Sequence, residues 1–173
     1  MFLIPGFIIS LLTFPGIIVH EFAHQLFCRL FHVPVFKVCY FRLGNPAGYV
    51  LHEKPKEDWQ QVLIGIGPFF VNTILGLLIA FPAAAAFNFH DDSPLNAILI
   101  YLGASIAMHS FPSRGDAESI WKNLEGKTFK KILVSPLMLL IYIGAFGSIV
   151  WLDLIYGVAV TVWLPNLLIK SMA

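Results

Sequence analysis

Long apolar runs alternate with short polar ones along this chain. The apolar runs cover roughly 2–31, 62–87, 95–111, 132–151 and 154–169, and a helix of about 20 apolar residues crosses the roughly 30 Å hydrocarbon core of a bilayer. Only Asp153 separates the last two, so they read either as two helices with a tight turn or as one bent, tilted helix. Between the first two runs, "VFKVCYFRL" and "GYVLH" are rich in β-branched and aromatic residues and flank the turn sequence "GNPAG", which predicts a β-hairpin at about 34–52. After the third run, "FPSRG" breaks the pattern and "DAESIWKNL" reads as a short helix. The expected fold is an all-α polytopic membrane protein with four to five transmembrane helices and a small hairpin after the first. One domain spans 1–173, with a core at about 14–122 and C-terminal helices at about 132–170.

Composition agrees with that pattern. The chain has 173 residues, 58% of them hydrophobic, a mean hydropathy of +0.79 and only 12% charged, against roughly 25% charged in soluble domains. A net charge of +1 gives no footing for a nucleic-acid partner, so the expected environment is the lipid bilayer. Lys37, Arg42, Lys54 and Lys56 lie in the hairpin segment, and Arg114, Lys122, Lys127, Lys130 and Lys131 follow the third run, whereas the charges of the 88–96 loop are all acidic. Under the positive-inside rule the hairpin and 112–131 face the cytoplasm, and the N-terminus and acidic loop lie outside a cell membrane. If there are five spans, Lys170 lies inside. The N-terminal run has neither a basic leader nor a small-residue cleavage site and is expected to stay as the first span. Cys28 and Cys39 are too few for a disulfide framework and read as free thiols.

Within the first run, "GIIVHEFAHQLF" places His20, Glu21 and His24 in a lipid-spanning setting. Each ionisable group there costs on the order of 2.5 kcal/mol or more, so the three need a partner in common. Residues four apart project from one helix face, so His20 and His24 can share one divalent ion while Glu21 reaches its bound water. This is the HExxH arrangement of zinc peptidases. The plainer alternative is a pair of histidines bonded to neighbouring helices. A catalytic zinc usually takes three protein ligands and one open position. The third is expected from Asp116, at the opening of the short helix, or from His109. Asp153, placed at the opposite membrane face, is excluded, and Cys28, two turns from His20, reads as a packed thiol. The plainer alternative for Asp116 is an N-cap of the helix that carries Trp121. Asn72, in "GIGPFFVNTILG", either donates to a substrate carbonyl or ties two helices together, and Gly65, Gly67 and Pro68 let another element come close to that stretch.

At these residues the chain resembles the site-2 protease family of intramembrane zinc metalloproteases. The resemblance covers roughly 14–122 and rests on "HEFAH", then "GPFFVN", then an aspartate after a third apolar helix. The family's aspartate sits in an asparagine, proline and LDG-like motif, where this chain has "HSFPSRGDAE". The resemblance implies one zinc ion held by His20, His24 and Asp116, with Glu21 activating water and Asn72 positioning or polarising the scissile carbonyl. It also implies that the β-rich segment guides an unwound transmembrane protein or peptide substrate to the metal. Neither a PDZ-like nor a nucleotide-binding domain fits this length, so the member would be a minimal one. "FPG" at 14–16 and "FPSRG" at 111–115 are expected to break helices and admit water. The competing expectation is a non-proteolytic metal-binding membrane protein, a zinc carrier or a degenerate relative. A conduit for metal, however, would call for more ligating residues on the other spans than this sequence has.

Overall fold

A computed structural model describes residues 6–88, 93–147 and 151–172. Much of the expected acidic loop, including His90, Asp91 and Asp92, lies outside the described residues, as do the first residues of the first run.

The first apolar run forms two helices, α1 (Gly6–Leu12) and α2 (Phe14–Leu30). They part at Thr13, whose hydroxyl donates back to the Ile9 carbonyl at 2.7 Å, while Pro15 stands in the first turn of α2, a position where its missing N–H costs nothing. On α2, Ile17, Glu21, His24 and Cys28 are buried, and Phe14, Ile18 and Phe22 are exposed. The polar motif therefore occupies the inward face of a helix whose outward face is apolar.

The hairpin follows as β1 (Val35–Cys39) and β2 (Tyr49–His52), antiparallel, with Cys39 opposite Tyr49, Val35 opposite His52 and an irregularity between Val35 and Lys37. Its loop is longer than "GNPAG". Arg42 turns inward, its backbone N–H donating to Ala47 O at 2.7 Å and its Nε to Pro46 O at 2.9 Å, so Tyr40–Leu43 leave the strand.

Helices α3 (Asp58–Asn88) and α4 (Pro94–Met108) pack closely along small residues. A Cβ on Gly103 would lie 2.7 Å from both the Gly76 carbonyl and the Ala80 methyl, so only glycine permits that approach. Gly16 of α2 likewise rests against the Ser105 backbone of α4, its N–H donating to Ser105 Oγ at 3.1 Å. Chain 109–113 then turns into α5 (Arg114–Asn123), which buries Ala117 and Ile120 against Met138 and Ile141 of α6 (Thr128–Gly147). The start of α3 and the turn into α6 are joined through Asp58, which accepts from Lys127 at 2.5 Å and Lys130 at 2.6 Å. The chain finishes in α7 (Leu152–Val158), a π-helical turn (Ala159–Trp163) and α8 (Leu164–Met172). Trp151, in a left-handed conformation at φ 64°, precedes α7. The last two apolar runs are thus separate helices.

Among the described residues, Asp58–Phe87, Thr128–Gly147 and Leu152–Ser171 are long and apolar enough to cross a membrane, and Pro94–Met108 is a shorter apolar helix. The first run is not among them because Thr13 divides it, leaving α2 with 17 residues.

A candidate metal centre

Helix α2 brings His20 and His24 one above the other, and their other contacts fix how each ring presents itself. His24 Nδ1 lies 2.8 Å from the Ile64 carbonyl and His20 Nδ1 lies 2.7 Å from the His109 carbonyl. A carbonyl oxygen only accepts, so both Nδ1 atoms carry hydrogen and, in the neutral rings, both Nε2 atoms present lone pairs. Each of these carbonyls is left open by its own helix. Pro68 follows Ile64 by four residues, so the N–H that would have bonded to the Ile64 carbonyl does not exist. His109 is the C-cap of α4, where carbonyls lack helical partners.

The two Nε2 atoms stand 3.2 Å apart, and two facing lone pairs at that distance repel unless a cation lies between them. The carboxylate of Asp116 completes the group, with Oδ1 3.2 Å from His24 Nε2 and Oδ2 3.7 Å from His20 Nε2. Bonds of about 2.0–2.1 Å in a tetrahedron separate ligand atoms by about 3.3 Å, so spacings of 3.2, 3.2 and 3.7 Å suit a zinc ion. The three residues are the group of metal-ligating type found among the described residues, with ligand atoms within 4.8 Å of one another.

Asp116 is oriented by its own helix. Ser113 is the N-cap of α5, its Oγ accepting from Asp116 N at 3.2 Å, and Asp116 Oδ2 accepts from Ser113 N and Oγ, both at 2.7 Å. The cap is therefore Ser113, with Asp116 closing a capping box from the N3 position. This fixes the carboxylate and leaves Oδ1 turned to the histidines.

A cavity of about 660 Å³ opens onto the three residues and is also lined by Glu21 and by Tyr49–His52 of β2. Gly48 lies directly over Glu21: a Cβ there would sit 2.8 Å from Oε1 and 2.6 Å from Cγ. Glycine at 48 thus lets the hairpin close over the carboxylate without displacing it.

Residues 13–122 match the model of the DUF3267 family, described as "Putative zincin peptidase". The chain belongs to this zincin peptidase family. It is therefore a zinc-dependent peptidase in kind, and the donor set above fits that cofactor. No curated protein and no solved structure gives a significant match.

The remaining candidates of this zincin fall elsewhere. Asn72 is fully buried, and its Nδ2 lies 3.2, 3.1 and 3.2 Å from the carbonyls of Gly16, Ile106 and His109. Three acceptors around one atom require the amide nitrogen there, so the nitrogen is committed to backbone, and Asn72 is not among the residues that line the cavity. Of the two uses expected of Asn72, this geometry is the tie between helices. Asn72 ties α2, α3 and α4 together and steadies the same His109 carbonyl that holds His20. His109 stands outside the ligand group, its Nε2 being 3.2 Å from Thr13 Oγ1. Cys28 is fully buried beside Val33 and Ile64, a packed thiol.

Asp153 was expected at the opposite membrane face, yet it lines the same cavity as the metal group. Gly144 of α6 rests against Phe111, and the Tyr156 ring of α7 packs tilted on Phe111 with centroids 4.9 Å apart while its hydroxyl bonds Thr73 at 2.8 Å. The end of α6 and the start of α7 thus lie beside the end of α4. Sequence reading missed this, and also the roles of Ser113, Gly48 and Pro68. Of these, the proline four residues after Ile64 left the clearest signal.

Proposed function

We propose that this zincin is an intramembrane endopeptidase of the site-2 protease kind, hydrolysing peptide bonds in or near transmembrane segments of membrane proteins. The observation that carries the reading is the inward face of α2, where two Nε2 lone pairs and a fixed carboxylate oxygen converge while the outward face exposes Phe14, Ile18 and Phe22. His20, His24 and Asp116 would hold one zinc ion, which supplies Lewis-acid polarisation of the scissile carbonyl and acidifies a bound water. Glu21 takes the proton of the attacking water and delivers it to the leaving amine. The unpaired edge of β2 holds the substrate extended along the cavity, since a helical peptide bond keeps its carbonyl within its own ladder.

The membrane orientation supported by charge places the hairpin and 112–131 at the cytoplasmic face. The bonds from Lys127 and Lys130 to Asp58 gather those basic segments at one end of the bundle, in keeping with it. A zinc carrier would need further ligating groups along a path, and the described residues offer one such cluster.

The test is reconstitution in liposomes with zinc and a set of single-span protein substrates. The wild type is expected to cut within or beside the span and Glu21→Gln is expected to retain zinc without cutting. Cleavage by Glu21→Gln at the wild-type rate would contradict the mechanism, and cleavage confined to soluble peptides would contradict the intramembrane assignment.

A further inference from the structure

The cavity has a polar pair that the mechanism above leaves unused. Gln61, on α3, is 4% exposed and lines the cavity together with Ser119 of α5, to which its Nε2 donates at 3.0 Å. Their position follows from helix periodicity. Gln61 lies one turn before Ile64, whose carbonyl holds His24, and Ser119 lies one turn after Asp116. The pair therefore flanks the metal group on its Asp116 side, whereas Gly48 and β2 close on its Glu21 side.

An extended peptide has two hydrogen-bonding edges. One can pair with β2. The other, wherever the cavity wall shields it from water, needs partners of its own or loses about 1–3 kcal/mol for each unsatisfied group. Gln61 carries the same donor and acceptor pair as a peptide bond. Ser119 takes one of its N–H groups, and among the described residues no protein group takes its Oε1. That oxygen is not sealed off from the cavity, for the buried side-chain atoms without partners are Asn72 Oδ1 and Asn123 Oδ1.

Resting on the peptidase reading, we propose that Gln61, held by Ser119, is a substrate-binding residue that accepts a backbone N–H from the edge of the extended substrate facing away from β2. It selects for an unwound main chain rather than for any particular side chain.

An amide-to-ester scan of a synthetic transmembrane-segment peptide tests this, with single replacements on either side of the cleaved bond but not at it. An ester removes one backbone N–H while keeping the chain's shape. In the wild type, one position outside those that pair with β2 is expected to lower kcat/KM about five- to tenfold. Gln61→Leu is expected to cleave the all-amide peptide more slowly by a similar factor and to be indifferent to that ester. It keeps the wild-type response to esters facing β2. Ser119→Ala gives the same pattern in weaker form. The ester-to-amide ratio is taken within each variant, so a smaller folded fraction cancels. An unchanged ester response in Gln61→Leu would overturn the inference while leaving the peptidase reading intact. Failure of the zinc-loaded wild type to cleave any peptide of the series would remove both.

Discussion

Two amides lie on one face of α3, eleven residues and about 16 Å apart, and they are put to opposite uses. Asn72 is sealed among three backbone carbonyls. Gln61 gives one bond to Ser119 and lines the cavity. The same division runs through the whole site. Glu21, Asp116 Oδ1 and the two Nε2 atoms are left open toward the cavity, while Pro68, His109, Ser113 and Asn72 orient the three ligands without entering the chemistry. Open groups and orienting groups should therefore fail differently when removed.

The largest expected effect is at an open group. Glu21→Gln should lower cleavage by about 10²- to 10⁴-fold with zinc content and thermal stability unchanged, as measured by turnover, elemental analysis and melting on one preparation. Next comes an orienting group whose loss should be felt in the metal. Pro68→Ala restores an N–H that competes with His24 for the Ile64 carbonyl, and zinc affinity should fall about 10- to 100-fold. Pro82→Ala, roughly 20 Å further along the same helix, should leave affinity unchanged. Competition with a fluorescent zinc chelator measures both, and equal affinities would break the distinction. Asn72→Leu removes a donor shared by three carbonyls, of which those of Ile106 and His109 keep another partner, and should cost about 1–3 kcal/mol of stability, with a weakened grip on zinc through His20. The smallest effect is at Gln61, where Leu should change the melting behaviour by about 1 kcal/mol or less and act on substrate instead.

Much of this arrangement was legible in the sequence. The spacing of His20 and His24 and the apolar run around them were enough to point to a metal site in a membrane setting, and the aromatic and β-branched flanks of "GNPAG" gave the hairpin, with strand ends displaced by the inward turn of Arg42. The glycines of "GIGP" predict close packing, and Gly65 does lie against Ile120 and Gly67 against Phe27. What the sequence hid was direction. A buried amide looks the same in sequence whether it faces a cavity or a neighbouring backbone, and only the crossing of α2, α3 and α4 decides that for Asn72. Asp153 was misplaced for a related reason. Counting apolar residues does not say how helices pack, whereas the contacts of Gly144 and Tyr156 with Phe111 bring Asp153 to the cavity wall.

The claim on which everything else depends is that His20, His24 and Asp116 hold one metal ion. Elemental mass spectrometry of the detergent-purified protein, alongside folded His24→Ala and Asp116→Ala variants, tests it most directly. About one zinc per chain, lost or sharply reduced in both variants, is the expected result. A wild type that stays free of metal after zinc reconstitution, or an Asp116→Ala variant that binds it as well as the wild type, would contradict the account.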